Sequence, residues 1–163
     1  VSRGLGDVYK RQIYMRWSVA GPKVEYRNVA PIESDSKGYK SVGDMGYLDD
    51  DGYLFFADRR SDMIVTGGEN VFAAEVEAAL KKHRKVVDVV VVGLPDSEWG
   101  HRIHAIVETS EPATAKELIK FALNFLPPYK IPKSFEFLDT IPRNDSGKVV
   151  RSLLIEESLK KGY

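Results

Sequence analysis

The run Val86-Val87-Asp88-Val89-Val90-Val91-Val92-Gly93-Leu94 constrains this chain more than any other stretch. Valine is branched at Cβ, loses side-chain freedom in a helix and packs well on a pleated surface, so the run predicts a strand. A membrane-spanning helix needs about 18 consecutive apolar residues. This run is far shorter and is interrupted by Asp88 and Gly93. The run is therefore expected to form a strand rather than a transmembrane segment.

The neighbouring segments alternate between helical and extended patterns. Met63-Ile64-Val65 predicts a short strand that stops at Gly67-Gly68. Phe72, Val76, Ala79 and Leu80 fall at helical spacing and predict a helix from about Ala73 to His83. Ile103–Glu108 and Ser134–Leu138 predict two further strands. Thr114-Ala115-Lys116-Glu117 spells a helix-capping box, and Leu118, Ile119, Ala122, Leu123 and Leu126 mark the buried stripe that follows. Pro127-Pro128 is expected to end that helix. A last helix is expected over Ser152–Lys161, its basic end matched to the helix dipole.

Before Arg59 the pattern is β-rich, over Ile13–Ala57. Gly21-Pro22 and Asp35-Ser36-Lys37-Gly38 are turn signals there, and Asp49-Asp50-Asp51-Gly52 joins two strands as a hairpin. Val1–Gln12 carries no periodicity and reads as a non-native or disordered leader. The first methionine is Met15, so a natural start is not in view. The expected organisation is a leader at 1–12, a β-rich segment at 13–60 and an α+β unit at 61–163.

Charge and composition exclude several functions. Lys+Arg and Asp+Glu both total 24, and this zero balance argues against a nucleic-acid binder. The chain has no cysteine, which excludes disulfides, a thiolate zinc site and a cysteine nucleophile. No apolar segment follows the basic residues near the start as a signal peptide would require, so the default location is cytoplasmic.

Four short segments carry chemistry. In Ser41-Val42-Gly43-Asp44, a carboxylate following a glycine at the end of a short strand can accept two hydrogen bonds from a sugar diol. The second segment is Asp58-Arg59-Arg60-Ser61-Asp62-Met63-Ile64-Val65-Thr66-Gly67-Gly68, whose paired glycines allow close backbone approach to a ligand. Trp99, in Pro95-Asp96-Ser97-Glu98-Trp99-Gly100, can anchor a loop or act as a stacking platform. In Pro142-Arg143-Asn144-Asp145-Ser146-Gly147-Lys148, a lysine just past a glycine turn can bring a positive charge to a phosphate or carboxylate. Taken singly, each has an ordinary structural reading as a turn, a surface charge or a packed aromatic.

Their order and spacing change that reading. The run from Gly43 to Glu77, then Trp99-Gly100, then Pro142-Arg143-Asn144 with Gly147-Lys148, resembles the adenylate-forming (AMP-binding) superfamily, in its acyl-CoA synthetase or fatty-acid–CoA ligase form. The resemblance covers about Gly38 to Leu154. It implies an α+β C-terminal mobile domain at 61–163, preceded by the β-rich end of the large AMP-binding domain at 13–60. It implies an ATP-dependent acid–thiol ligase that joins a carboxylic acid to CoA through an acyl-adenylate, using ATP and Mg2+ and releasing AMP and pyrophosphate.

By the same resemblance, Asp44 and Arg59 match nucleotide-binding positions, and Lys148 matches the catalytic lysine of adenylation. Gly67, Gly68, Trp99 and Lys133 match CoA-binding positions, and Ser61 stands at the hinge where the family often has Asp or Lys. Val42 replaces a commoner threonine. No protein metal ligand is expected in this stretch, and the magnesium site is expected mostly in a missing region. The glycine-rich phosphate loop and acid pocket of the family are not in this sequence, so the chain is expected to be a fragment inactive alone, with the missing N-terminal domain as its intramolecular partner. The alternatives are the adenylation domain of a nonribosomal peptide synthetase, and a stand-alone nucleotide- or CoA-binding module.

Overall fold

The computed structural model describes residues 11–16, 34–41 and 43–163. The expected turn at Gly21-Pro22, most of the expected leader and Val42 lie outside the described residues. The chain divides into two compact units, Val1–Ser61 and Asp62–Tyr163.

In the first unit, β1 (Arg11–Gln12), β2 (Asp44–Leu48) and β3 (Leu54–Arg59) form an antiparallel sheet in that order. Arg11 and Gln12, read with the leader in the sequence, instead supply a short strand. The β2–β3 hairpin forms where expected. Its connection is organised by the Asp49 carboxylate, which accepts hydrogen bonds from the Asp51 and Tyr53 N–H groups at 3.1 and 2.8 Å.

The second unit is α+β. β4 (Met63–Thr66) and β5 (Glu69–Phe72) form a hairpin that leads into α1 (Ala73–Leu80). β6 (Val86–Asp96) and β7 (Gly100–Thr109) pair antiparallel over almost their whole length. α2 (Ala115–Ala122) then crosses over so that β8 (Ser134–Leu138) can pair parallel to β7, giving the sheet order β6-β7-β8. α3 (Arg151–Lys160) follows the last loop.

Val89–Val92 are apolar without alternation because this part of β6 buries both faces. Val89 and Val91 join Val76, Leu80, Leu118 and Ala122 in one core cluster, under α1 and α2. Val90, Val92 and Leu94 join Ile106, Ile141 and Leu154 in a second, under α3.

Several elements differ from the sequence reading. β5 was not expected, although Gly-Gly between two short runs is a hairpin signal. α1 ends at Leu80 rather than His83, because the chain turns there to enter β6. α2 ends at Ala122, ahead of Pro127. The Asn124 amide donates to the Lys120 and Phe121 carbonyls at 3.4 and 2.9 Å and so satisfies the end of the helix. Leu123, assigned to the buried stripe, is consequently half exposed. The predicted cap does form: Thr114 Oγ1 accepts from the Glu117 N–H at 3.2 Å. Among the described residues no helix is long and apolar enough to cross a membrane.

A cluster of polar groups lies in the core around His104, Glu136 and Ser158. The His104 side chain is fully buried, with Nδ1 2.8 Å from Ser134 Oγ. Among the described residues its Nε2 has no hydrogen-bond partner, and it lies 3.6 Å from Glu136 Oε2. Glu136 accepts from Ser158 Oγ at 2.7 Å and pairs with Lys161, which ties β8 to the end of α3. Burial pushes the His104 pKa below its ordinary value, and the Glu136 charge opposes this without overcoming it. Burial alone would raise the Glu136 pKa, but Lys161 and Ser158 hold it below the usual carboxylate range. Because His104 is depressed in the fold, the unfolded chain takes up its proton first as pH falls. Its contribution is whole above about pH 6.5, the ordinary histidine value, and is lost below it. The urea midpoint should therefore fall between about pH 7 and pH 5.5, with Glu136 still ionised, and His104→Gln should flatten that fall. An equal slope in the variant would assign the titration elsewhere.

Candidate functional site

The first unit holds a charged pair at the open end of its hairpin. Asp44 begins β2 and Arg59 ends β3, and the ladder sets them opposite one another. Arg59 Nε lies 3.7 Å from Asp44 Oδ1, with the Arg59 side chain largely exposed and that of Asp44 half-buried. An ionised carboxylate has about four lone-pair sites, so this pairing leaves Asp44 capacity to accept from a diol. Ser61 lies in the short 3-10 turn Arg60–Asp62, and the Arg60 N–H donates to the Gly43 carbonyl at 2.8 Å.

In the second unit the four residues matched to CoA come together. Gly67 and Gly68 form the two-residue turn of the β4–β5 hairpin, with φ of 57° and 84°. Positive φ at both positions matches the twist of the flanking strands, and glycine reaches it without a Cβ clash. The Gly67 N–H donates to the Trp99 carbonyl at 2.9 Å. A Cβ on Gly67 would sit 2.6 Å from Trp99 Cε3, whereas one on Gly68 would meet nothing within 4 Å.

Trp99 lies in the turn between β6 and β7. That turn is held by the Asp96 carboxylate, which accepts from the Glu98 and Trp99 N–H groups at 3.0 Å each. The Trp99 and Glu98 N–H groups keep the Asp96 carboxyl below its usual range. Lys133 is placed by its own N–H, which donates to the Ile103 carbonyl at 2.9 Å, and its Nζ stands 3.7 Å above the Trp99 ring. Gly67, Trp99 and Lys133 thus form one stack, beside the open Gly68. An aromatic face with a cation on it suits a ligand that joins a flat base to phosphates.

Lys148 is not part of that stack. It ends a tight loop in which Asn144 Oδ1 accepts from the Ser146 and Lys148 N–H groups at 3.1 and 2.9 Å. The same loop is closed by the Gly147 N–H donating to the Asn144 carbonyl at 2.8 Å. Arg143 pairs with Asp88 near the start of β6, and Trp99 lies just beyond the other end of that strand. Asp88 and Asp96 are separated along β6 by about 25 Å, at roughly 3.3 Å per residue. Asp88 and Arg143 carried no assignment in the sequence reading. The available signal was the carboxylate breaking the valine run. Among the described residues no group of three or more His, Cys, Asp or Glu side chains is gathered closely enough to hold a metal ion.

Gly67→Ala should displace the Trp99 ring and cost roughly 1–2 kcal/mol, the penalty for a side chain in the left-handed region. The change is read as a shift in Trp99 emission in a Trp17→Phe background, together with a lowered urea midpoint. An unmoved emission maximum would show that the ring does not rest on Gly67.

Residues 75–148 match the family described as the AMP-binding enzyme C-terminal domain. The chain is 45% identical over 141 residues to a 2-succinylbenzoate–CoA ligase of Bacillus licheniformis, covering 84% of this chain and 30% of that protein. It is 43% identical over 128 residues to a long-chain-fatty-acid–CoA ligase of Bacillus subtilis, covering 77% of this chain and 23% of that one. Among solved structures, the o-succinylbenzoate CoA synthetase of Bacillus subtilis in complex with its acyl-adenylate intermediate matches with a TM-score of 0.69. That match has 44% identity and covers 74% of this chain and 25% of that one. The chain thus spans about 30% of the length of the first of these relatives. With the glycine hairpin, the Trp99 turn and the Lys148 loop all set on the one α+β unit, the chain carries the C-terminal domain of the AMP-binding, adenylate-forming enzymes and is similar over most of its own length to acyl-CoA ligases.

Proposed function

We propose that this chain is the C-terminal part of an ATP-dependent acid–CoA ligase, and that its α+β unit serves two half-reactions with two different ends. One observation carries this reading: Lys148 and the Gly67–Trp99–Lys133 stack lie toward opposite ends of β6. A single rigid unit built this way can present Lys148 to one reaction and the stack to another, but not both at once.

In the first half-reaction a carboxylate oxygen attacks the α-phosphorus of ATP, and pyrophosphate leaves. Lys148 supplies a cation where negative charge builds between the carboxylate and the phosphate. Asp44 binds the ribose hydroxyls, and Arg59 contacts the nucleotide. In the second half-reaction the CoA thiol attacks the acyl carbonyl of the adenylate, and AMP leaves. Trp99 packs near the CoA adenine, Lys133 meets the CoA phosphates, and the open space at Gly68 admits the pantetheine arm. Residues 61–163 form the mobile domain, pivoting at Ser61, and residues 13–60 form the β-rich end of the large domain. The rest of that large domain is the partner in which the acid, magnesium and the ATP phosphates are held. The relatives are named for an aromatic succinyl acid and for long-chain fatty acids, so the shared chemistry is carboxylate activation rather than one acid. The cytoplasm, where ATP and CoA are available, is the proposed location.

In the full-length protein, Lys148→Ala should lower adenylation by roughly two to three orders of magnitude, measured as ATP–pyrophosphate exchange. Given preformed acyl-adenylate, the same variant should release acyl-CoA at a near-normal rate. Wild-type adenylation would remove Lys148 from the chemistry. Gly68→Leu should do the reverse, slowing acyl-CoA release more than pyrophosphate exchange. Equal loss in both assays would point to a damaged fold instead.

A further inference from the structure

The Lys148 loop is exposed and joins β8 to α3, yet the peptide that launches the lysine is held on both sides. The peptide linking Gly147 to Lys148 has two polar groups. Its N–H, on Lys148, donates to Asn144 Oδ1 at 2.9 Å. Its C=O, on Gly147, accepts from Arg143 Nη1 at 3.0 Å. With both groups bonded, the peptide plane has little freedom to rotate, and the direction of the Lys148 side chain from its Cα is set.

The Asn144 bond is internal to the loop, but the Arg143 bond leads out of it. Arg143 Nη2 pairs with Asp88 Oδ2 on β6. Asp88 is itself fixed: its Oδ1 accepts from the Val89 N–H at 2.9 Å and pairs with Lys81 Nζ at 2.9 Å. Its side chain is mostly buried, while those of Arg143 and Lys81 are about half exposed. Burial alone would raise the Asp88 pKa, but Lys81 and Arg143 outweigh it and keep the carboxylate ionised. The neighbouring strand residues Val89, Val90 and Val91 are core residues, so this carboxylate is mounted on a strand anchored in the core.

We propose that Asp88 is a positioning residue for Lys148, acting through an Arg143 strut that fixes the Gly147–Lys148 peptide. The proposal accounts for a carboxylate near the start of a valine run, where a valine would otherwise extend the apolar pattern. Arg143 is suited to the task because a planar guanidinium can donate to a carboxylate and a carbonyl at once, which a lysine ammonium does less directionally. The inference rests on the proposed role of Lys148 in adenylation, but the strut itself can be examined without activity.

The test compares Asp88→Ala, Arg143→Ala, the double variant and Arg143→Lys. In this chain, 15N relaxation reads the order of the Lys148 amide. Asp88→Ala should lower its order parameter from about 0.85 toward 0.6 or below, while Val90 and Val91 in β6 stay rigid. In the full-length protein, Asp88→Ala and Arg143→Ala should each reduce the kcat of adenylation roughly 10- to 100-fold, the scale expected for misplacement by about 1 Å. KM for ATP and thioester formation from preformed adenylate should change little. The double variant should lose no more than either single one, because both break the same strut. Arg143→Lys should keep the ion pair but recover only part of the rate. An unchanged Lys148 order parameter in Asp88→Ala overturns the proposal whatever Lys148 does. Additive losses, or equal damage to both half-reactions, overturn it as a general stability effect. If Lys148→Ala itself keeps full adenylation, the reading of Lys148 fails and the positioning claim falls with it, while the relaxation data still report separately on the strut.

Discussion

The antiparallel ladder between β6 and β7 is the constraint on which the α+β unit depends. It runs from Val86 paired with Thr109 to Asp96 paired with Gly100, and the residues of β6 alternate between two buried faces. A strand buried on both sides cannot slip by one residue without exchanging its two apolar sets, so the register is strongly specified. α1 and α2 are held on one face by Val89 and Val91, and α3 on the other by Val90, Val92 and Leu94. The same ladder sets the distance between the two candidate sites, since the Trp99 turn caps one end and Asp88 receives the Arg143 loop near the other.

The Trp99 turn and the Lys148 loop share one local device with the β2–β3 connection. Asp49, Asp96 and Asn144 each use a side-chain oxygen to accept two backbone N–H groups further along the chain. A short polar side chain of this kind mimics a backbone turn and satisfies donors that would otherwise need water. It shapes each turn using nearby residues alone, so the loop needs only one or two distant contacts to be oriented. For the Trp99 turn those contacts are the Gly67 N–H and the Lys133 ammonium; for the Lys148 loop the distant contact is the Arg143–Asp88 pair.

His104 and Glu136 are an exception to the apolar interior, placed between β7, β8 and the end of α3. Leaving Nε2 without a partner in a buried site costs stability, and the arrangement is tolerated because Ser134, Ser158 and Lys161 satisfy the rest of the cluster. None of these residues stood out in the sequence, because their pairing across strand and helix depends on the parallel register of β7 with β8.

The sequence by itself determined which stretches become strands and helices wherever a local period or cap spoke for them. The valine run, the helical stripe at Val76, Ala79 and Leu80, the Thr114 cap and the β8 strand are examples, and each is decided by contacts a few residues apart. The order of its short motifs also pointed to the adenylate-forming enzymes. Only the tertiary structure decided that β6 buries both faces, that β8 runs parallel to β7, and that α2 stops at Asn124's amide rather than at Pro127. It also decided that Gly67, Trp99 and Lys133 stack together while Lys148 is held toward the far end of the same strand, braced on Asp88. These pairings join residues tens of positions apart. No local propensity encodes them, and they follow from the ladder register that sets which side chains can meet.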